Sequence, residues 1–239
     1  MVTKVIDFMA LIKGSRTGTD LRCDIQTARF IVLDTELTGL NEKKDSIISI
    51  GALRMCGGRV SLGDSYYRLI NPETRMTAES VVIHEITPSE VSEKPDIRTI
   101  LSEFLSYCGN DVLVGFCASI DMEFLNREAK RILGHTMQNP VLDIFPMFEW
   151  VRTKMAVQGG EEINMPFHYK LYDIAKYYGI EVNGGHNAII DAFITAQIFQ
   201  RFIPILLEAG IRNVGDVLSL SSKLKGGDRF AVNHGMSNF

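Results

Sequence analysis

The sequence lacks the features of several large protein classes. Its 239 residues include only four cysteines, and no two of them are spaced as a zinc-binding pair or a disulfide framework. Such cysteine usage is typical of a reducing compartment. The formal net charge is -4, so a generally basic nucleic-acid coat is excluded and any contact with nucleic acid must be local.

Membrane and targeting signals are also missing. We expect no transmembrane segment, because no apolar run is judged long enough to span a bilayer. The first twelve residues lack the apolar core and cleavage site of a signal peptide. Neither a repeat nor a low-complexity tract is present. The sequence therefore predicts a cytoplasmic globular protein with no membrane partner.

The strongest chemical signal that is present follows the apolar stretch Phe30–Leu33. Four apolar residues in a row predict a strand buried on both faces. Asp34 and Glu36 follow it two residues apart, so their side chains point to the same side. Two anions held together repel each other unless they share a proton or bind a cation. For this pair alone, a polar strand end with ordinary turn residues remains the alternative.

The second acidic stretch contains Asp121, which lies in the first turn of a helix predicted over Ser119–Leu133. Ser119 is the expected N-cap and Gly134 the expected helix end. The helix dipole favours an acid in a first turn, so Asp121 taken alone has a sufficient structural explanation.

The third stretch pairs a histidine with an acid. His186 and Asp191 are five residues apart, which on one helix is a rotation of about 140°. To serve one site, His186 must lie on the loop after Gly184 and Asp191 in the helix predicted from Ala188. A His of this kind is also common on ordinary surfaces. Together with the other acids, however, the pair predicts a site for Mg²⁺ or Mn²⁺, which prefer oxygen ligands.

The predicted elements are three strands in succession and then alternating helices and strands. This order is typical of an α/β or α+β layered fold. The expected strands are 30–37, 47–53, 65–70, 112–116 and 141–144, and the main expected helices are 96–108, 119–133, 145–157, 171–178, 188–207 and 213–224.

In order and spacing, the three acidic stretches resemble the motifs of the DnaQ-like 3′–5′ exonucleases of the DEDDh type. That family includes the proofreading subunit of bacterial replicative DNA polymerase. Asp34 and Asp121 are 87 residues apart, and Asp121 and Asp191 are 70 residues apart. The matching stretches are Asp34–Leu40, Val114–Leu125 and His186 to Asp191, with Val82–Thr87 similar to a segment between the first two.

The resemblance implies a ribonuclease H-like fold, with a mixed five-stranded sheet and helices on both faces. It implies an exonuclease domain over residues 28–207, between a lead-in segment (1–27) and a C-terminal helix with a mobile tail (208–239). The implied reaction is hydrolysis at the 3′ end of a single-stranded nucleic acid, most simply DNA. A DNA polymerase or a second copy of the chain is an open partner.

The resemblance also implies roles for individual residues. Two divalent ions, Mg²⁺ or Mn²⁺, are held by the four acids, and the first acid bridges both. Its neighbouring Glu and the last Asp hold the ion that carries the attacking water, while Asp121 serves the other ion. His186 is the implied general base. The implied metal ligands are Asp34, Glu36, Asp121 and Asp191, and the implied substrate contacts are Thr35, Leu40 and His84.

Three departures from the family pattern keep alternatives open. Cys117 stands where many members have Asn, Ile120 where they have Phe, and Glu85 where Gly is usual. A non-catalytic binding module on the same fold is one alternative, and an exoribonuclease for short RNA is another. The basic residues Arg127, Lys130 and Arg131 either contact phosphates or form an ordinary solvated helix face.

Overall fold

The structure is a computed structural model that describes residues 18–157 and 169–225. Residues 1–17 of the predicted lead-in segment and the predicted tail after Lys225 lie outside the described residues. The predictions for those parts of the chain therefore remain predictions.

Five strands form one mixed sheet, as predicted. The strands are β1 (Arg29–Leu37), β2 (Ile47–Cys56), β3 (Arg59–Leu69), β4 (Val112–Gly115) and β5 (Val141–Asp143). In space they are ordered β3-β2-β1-β4-β5. β2 pairs antiparallel with both β1 and β3, while β4 pairs parallel with both β1 and β5.

Helices cover both faces of the sheet. The described residues form α1 (Ala78–His84), α2 (Pro88–Val91), α3 (Ile97–Cys108), α4 (Ser119–Leu133), α5 (Ile144–Val157), α6 (Leu171–Tyr177), α7 (Ala188–Glu208) and α8 (Val214–Lys225).

The alternation of side chains along β1 divides the core in two. Phe30 and Val32 point to the face covered by α5, α6, α7 and α8. Ile31 and Leu33 point to the opposite face, which α3 and α4 cover. Because both faces are buried, the strand reads as a continuous apolar run, which is why the sequence predicted it.

Two predicted boundaries were wrong. β3 begins at Arg59 rather than at residue 65, because the turn at Gly57 and Gly58 pairs Arg59 directly with Cys56. Ser119 is the first residue of α4 rather than its N-cap. Ala118 occupies the cap position and makes no side-chain cap hydrogen bond.

One helix corrects the expectation about apolar runs. α7 has 21 residues, and an 18-residue segment of it has a mean hydropathy of 1.4. By length and composition it is therefore able to cross a membrane. In this fold it is a core helix, with Ala192, Ile198 and Phe202 completely buried. It packs against β1 and β2, and a core helix of this kind passes the same compositional test.

The described part of the lead-in contacts the C-terminal helix. The backbone of Val214 donates a hydrogen bond to the carbonyl of Cys23, and Asp24 forms a β-bridge with Asn213. Ile25 and Val217 are buried in the same core. Domain boundaries at residues 27 and 207 remain predictions.

Glu85 ends α1 in a strained conformation. Its φ is 58°, in the left-handed region, and its N–H donates to the carbonyl of Val81. Glycine is preferred in this position because a β-carbon makes the left-handed conformation costly. The departure from Gly noted in the sequence is therefore a backbone cost as well as a change of charge.

We expect Glu85→Gly to raise the free energy of unfolding by about 0.5–1 kcal/mol, because the relief of left-handed strain is larger than the opposing effect of the unfolded-state entropy that glycine adds. Urea denaturation would measure the change. Glu85→Ala is the matched control, because it removes the charge but keeps the β-carbon, and it should leave stability nearly unchanged. Equal stabilisation by both substitutions would show that charge, not backbone strain, is the cause.

Candidate active site

The four predicted acids meet at one edge of the sheet. Asp34 and Glu36 lie near the end of β1, and Asp121 and Asp191 lie in the first turns of α4 and α7. Because β4 is parallel to β1, the helix that follows β4 begins at the edge where β1 ends. Helix N-terminal turns carry partial positive charge, which favours acids in these positions.

Three of the acids form a tight cluster. One carboxylate oxygen each from Asp34, Glu36 and Asp191 lies within 4.8 Å of the other two. The fourth acid, Asp121, is buried beside them, and the hydroxyl of Thr35 donates to its Oδ1 at 2.6 Å. The cluster thus offers several oxygen ligands to one point, with Asp121 held apart by Thr35.

Burial and mutual repulsion make this cluster costly when it is fully ionised. Burial, followed by the charges of Asp121, Glu36 and Asp191, raises the pKa of Asp34 well above its ordinary value. Burial and the charges of Asp191 and Asp121 raise the pKa of Glu36 to about 8.

The other two acids are shifted in the same direction. Burial raises the pKa of Asp121 to about 7, although hydrogen bonds from Thr35 oppose the shift. Burial raises the pKa of Asp191 too, with hydrogen bonds from Tyr172 and the positive charge of His186 acting against it. Desolvation is therefore the largest cause of every shift.

Positive charge from the protein does not neutralise the cluster within the described residues. The ion pairs found in 18–157 and 169–225 involve other acids. Buried carboxylates without a cationic partner suit a divalent metal ion, which supplies the missing charge and prefers oxygen ligands. The residues present thus fit Mg²⁺ or Mn²⁺.

Gly51 allows α7 to approach this edge of the sheet. It pairs with Asp34 across the β1–β2 ladder. A β-carbon on Gly51 would lie 2.2 Å from backbone atoms of Ala188 and Ile189, closer than atoms can approach. The first turn of α7, which carries Asp191, therefore rests directly on the sheet. The sequence analysis missed this residue, although a glycine inside an apolar strand is a signal of close backbone approach.

His186 lies where the spacing required it. It sits on the loop after Gly184 and Gly185, and the next residue, Asn187, caps α7. Its φ is 60°, an uncommon left-handed conformation for a residue with a side chain. The side chain is exposed, and it is near enough to Asp191 to influence the pKa of that acid.

Tyr172, on α6, joins the histidine to the cluster. Its hydroxyl donates to Asp191, at 2.8 Å from Oδ2 and 3.0 Å from Oδ1, and accepts a hydrogen bond from the backbone N–H of His186. The two rings meet edge to face, with centroids 5.2 Å apart. The role of Tyr172 was not predicted from the sequence, because no motif points to this contact.

Asp143 orders the turn before α4. Its Oδ1 accepts hydrogen bonds of 3.0 Å from the N–H groups of Cys117 and Phe145. Cys117 has a φ of 51°, a conformation that Asn adopts more readily than other residues with side chains. Burial and the charges of Asp143 and Asp121 raise the pKa of Cys117 to about 12, so it remains a neutral thiol.

The predicted substrate contacts surround the cluster. His84 is buried, and its Nδ1 accepts a hydrogen bond of 3.0 Å from the N–H of Ile86, so its proton resides on Nε2. Among the described residues, Nε2 has no hydrogen-bond partner. Burial, together with the nearby charge of His186, lowers the pKa of His84. Leu40 is 40% exposed on the loop between β1 and β2.

Two of the basic residues on α4 have structural partners. Arg127 pairs with the buried Glu128 and also donates to the carbonyl of Asp45, which ties the β1–β2 loop to α4. Arg131 pairs with Glu128 and Glu73. These contacts favour the structural alternative for both arginines over direct phosphate binding.

Known proteins match the part of the chain that contains the acidic cluster. The family model described as "Exonuclease" matches residues 31–199, which include every acid of the cluster and His186. DNA polymerase III subunit epsilon of Aquifex aeolicus is 29% identical over 216 residues, which are 90% of this chain and 99% of that protein.

A DNA polymerase III of the PolC type from Thermotoga petrophila is also 29% identical, over 83% of this chain. The chain spans only 14% of the length of that relative.

Solved structures share the fold. A complex of Escherichia coli exonuclease I with single-stranded DNA gives a TM-score of 0.64 at 21% identity and covers 77% of this chain and 43% of that one. Cell-death related nuclease 4 gives a TM-score of 0.60 at 14% identity, over 75% of this chain and 65% of that one. The match to the family model over most of the sheet and into α7 shows that this chain belongs to the exonuclease family.

Proposed function

We propose that this chain hydrolyses phosphodiester bonds at the 3′ end of single-stranded DNA and releases nucleoside 5′-monophosphates. The observation that carries the proposal is the meeting of four largely buried acids with a histidine at their mouth. The names of the polymerase III relatives and the DNA bound to exonuclease I support DNA as the substrate.

The metal ligands divide into two groups. Asp34, Glu36 and Asp191 each bring a carboxylate oxygen within 4.8 Å of the others, while Asp121 is not one of that trio and accepts a hydrogen bond from Thr35. On this proposal the trio would hold one ion, and Asp121 would help to hold the second together with Asp34, the acid whose pKa its charge raises. When bound, two Mg²⁺ or Mn²⁺ ions would stabilise the charge on the attacking and leaving oxygens of the phosphoryl group.

His186 is the proposed general base. Its loop position leaves the imidazole exposed beside Asp191, where it can accept a proton from a water molecule that attacks the phosphorus. His186 therefore acts by moving a proton, while the acids hold the metal.

The 3′-terminal nucleotide is proposed to lie against Leu40, His84 and the backbone at Thr35. Leu40 offers an exposed apolar side chain to a base, and His84 offers an unpaired Nε2–H to a polar atom. Since a buried donor without a partner costs free energy, a substrate acceptor would relieve that cost.

Two other functions remain to be tested against this one. An exoribonuclease needs a contact with the ribose 2′-hydroxyl, and a relative rate on DNA and RNA oligonucleotides of the same sequence would reveal it. A non-catalytic binding module would show no metal-dependent shortening of either strand. Association with a DNA polymerase or a second copy, and a cytoplasmic location, are parts of the same proposal.

We expect Asp34→Asn to abolish hydrolysis, with a fall in rate of about 10³-fold or more, because the acid proposed to contact both ions is lost. A 5′-labelled single-stranded DNA oligonucleotide with Mn²⁺ should shorten from its 3′ end with the wild-type protein and not with the variant. Asp45→Asn, in the β1–β2 loop, is a control that changes an acid outside the cluster. Wild-type activity in Asp34→Asn would contradict the metal assignment.

We expect His186→Ala to lower the turnover rate by about 10²–10⁴-fold, the range of general acid–base catalysis, while metal binding survives. Metal binding can be followed separately as the rise in melting temperature on addition of Mn²⁺. His135→Ala changes a histidine far from the cluster along the chain and should have no effect on rate. Loss of the Mn²⁺-dependent rise in the His186 variant would mean that the residue supports the metal rather than the proton transfer.

The acidic cluster also predicts how stability depends on pH. In the folded state the pKa values of Glu36 and Asp121, about 8 and 7, are above their ordinary values of 4.5 and 3.8. The folded state therefore binds more protons, and these groups contribute stability at low pH that is lost as the pH rises from about 4 to about 8.

In EDTA we expect Glu36→Gln to be more stable than the wild type at pH 8, and the difference to shrink at pH 5, where Glu36 is protonated in the folded protein. Urea denaturation at the two pH values measures it. Added Mg²⁺ should raise the stability of the wild type more at pH 8, because ionised carboxylates bind the metal. A difference between the two proteins that does not depend on pH would contradict the raised pKa.

A further inference from the structure

Tyr172 uses one oxygen atom to contact both halves of the proposed machinery. A tyrosine hydroxyl has one proton to donate and lone pairs to accept with. Here the proton is directed to the carboxylate of Asp191, and a lone pair receives the backbone N–H of His186. The metal ligand and the general base are thus joined through a residue of a different helix, α6.

The loop that carries His186 needs such a support. His186 adopts a left-handed conformation, which is unfavourable for a residue with a β-carbon. The loop also packs directly on the tyrosine ring, since a β-carbon on Gly185 would lie 2.7 Å from ring atom Cζ and from the hydroxyl oxygen. After the loop, Asn187 fixes the start of α7 by accepting a hydrogen bond from the N–H of Ile189.

Asp191 keeps room for a metal in this arrangement. A carboxylate offers about four lone-pair positions, and the tyrosine hydroxyl has only one proton to donate to them. The hydroxyl lies near both carboxylate oxygens, and one of these two oxygens is also within 4.8 Å of a carboxylate oxygen of Asp34 and of Glu36. Hydrogen bonds of this kind orient metal ligands and, when lost, lower metal affinity or activity by about 10–100-fold.

We propose that Tyr172 is a positioning residue that holds His186 and Asp191 in a fixed relation, so that the proton acceptor and the metal ligand face the same water molecule. The inference rests on the proposed function. It concerns the hydroxyl group of Tyr172, because the ring alone could pack against the loop without it.

Tyr172→Phe tests the hydroxyl and keeps the ring. We expect the turnover number on single-stranded DNA to fall by about 10–100-fold, while the KM for the oligonucleotide changes by less than about twofold. In titration calorimetry without DNA, we expect the variant to bind Mn²⁺ about tenfold more weakly than the wild type. Tyr177→Phe removes a hydroxyl from the same helix, at an exposed position, and should match the wild type in all three quantities.

A second variant disturbs the same contact from the loop. Gly185→Ala places a methyl group against the tyrosine hydroxyl and should lower the turnover number in the same way while Tyr172 is intact. It provides the test if Tyr172→Phe fails to fold. Agreement between the two variants would support a role of the contact itself.

Three results would overturn the inference. Tyr172→Phe with wild-type turnover and Mn²⁺ affinity would show that the hydroxyl positions nothing. A rise in KM with unchanged turnover would make Tyr172 a substrate contact instead. If the wild type itself neither bound Mn²⁺ nor shortened DNA, the proposed function would fail first, and the inference with it. A wild type that does both, beside an unaffected variant, would remove only the role of Tyr172.

Discussion

The repulsion among four buried carboxylates is the constraint on which the rest of this structure depends. Burial alone raises the pKa of each acid, and the charges of the other acids raise the pKa values of Asp34 and Glu36 further. Such a cluster persists only if stronger packing elsewhere holds it together. That packing comes from β1, buried on both faces, and from α7, which lies across β1 and β2. The most apolar helix of the described chain is therefore also the helix that carries a metal ligand.

Neutral hydrogen-bond donors, rather than arginine or lysine, orient the acids. Thr35 donates to Asp121 and Tyr172 donates to Asp191. A fixed positive side chain would satisfy the same carboxylates but would also compete with a divalent cation for them. Within the described residues, the two arginines that follow Asp121 on α4 are instead paired with Glu128, and Arg127 also donates to a loop carbonyl. The positive charge that the cluster needs is thus left for a ligand to supply.

The parts of the site that follow from local sequence were predicted well. The apolar run before Asp34 predicted β1, and the five-residue spacing of His186 and Asp191 required a loop followed by a helix. The missed features depend on contacts between elements distant in sequence. Gly51 matters because α7 packs on it, and Tyr172 because α6 brings its hydroxyl to Asp191. No periodicity or motif in one sequence identifies which distant element packs against Gly51 or which carboxylate Tyr172 contacts.

The start of β3 and the cap of α4 were wrong for a different reason. Both depend on local geometry that several residue patterns can satisfy. At α4, Asp143 secures the entering turn by binding the N–H of Cys117, so a side-chain cap from Ser119 is not needed. At β3, the glycine turn sets the first pairs of the register, which then shifts between Leu53 and Arg54, and exposed polar residues such as Asp64 and Ser65 belong to the strand.

The departures from the family pattern acquire physical meaning from the backbone. Cys117 and Glu85 both have positive φ, where the usual Asn and Gly are the less strained residues. Neither departure removes a ligand or the proposed base, so neither favours a non-catalytic module. The four acids and His186 all lie within residues 31–199, the part of the chain that matches the family model. The chain as a whole aligns over 90% of its length with nearly the whole of the epsilon subunit, and over 83% of its length with about a seventh of the PolC-type relative. The proposed ligands and base therefore all belong to the part of the chain that the family model describes.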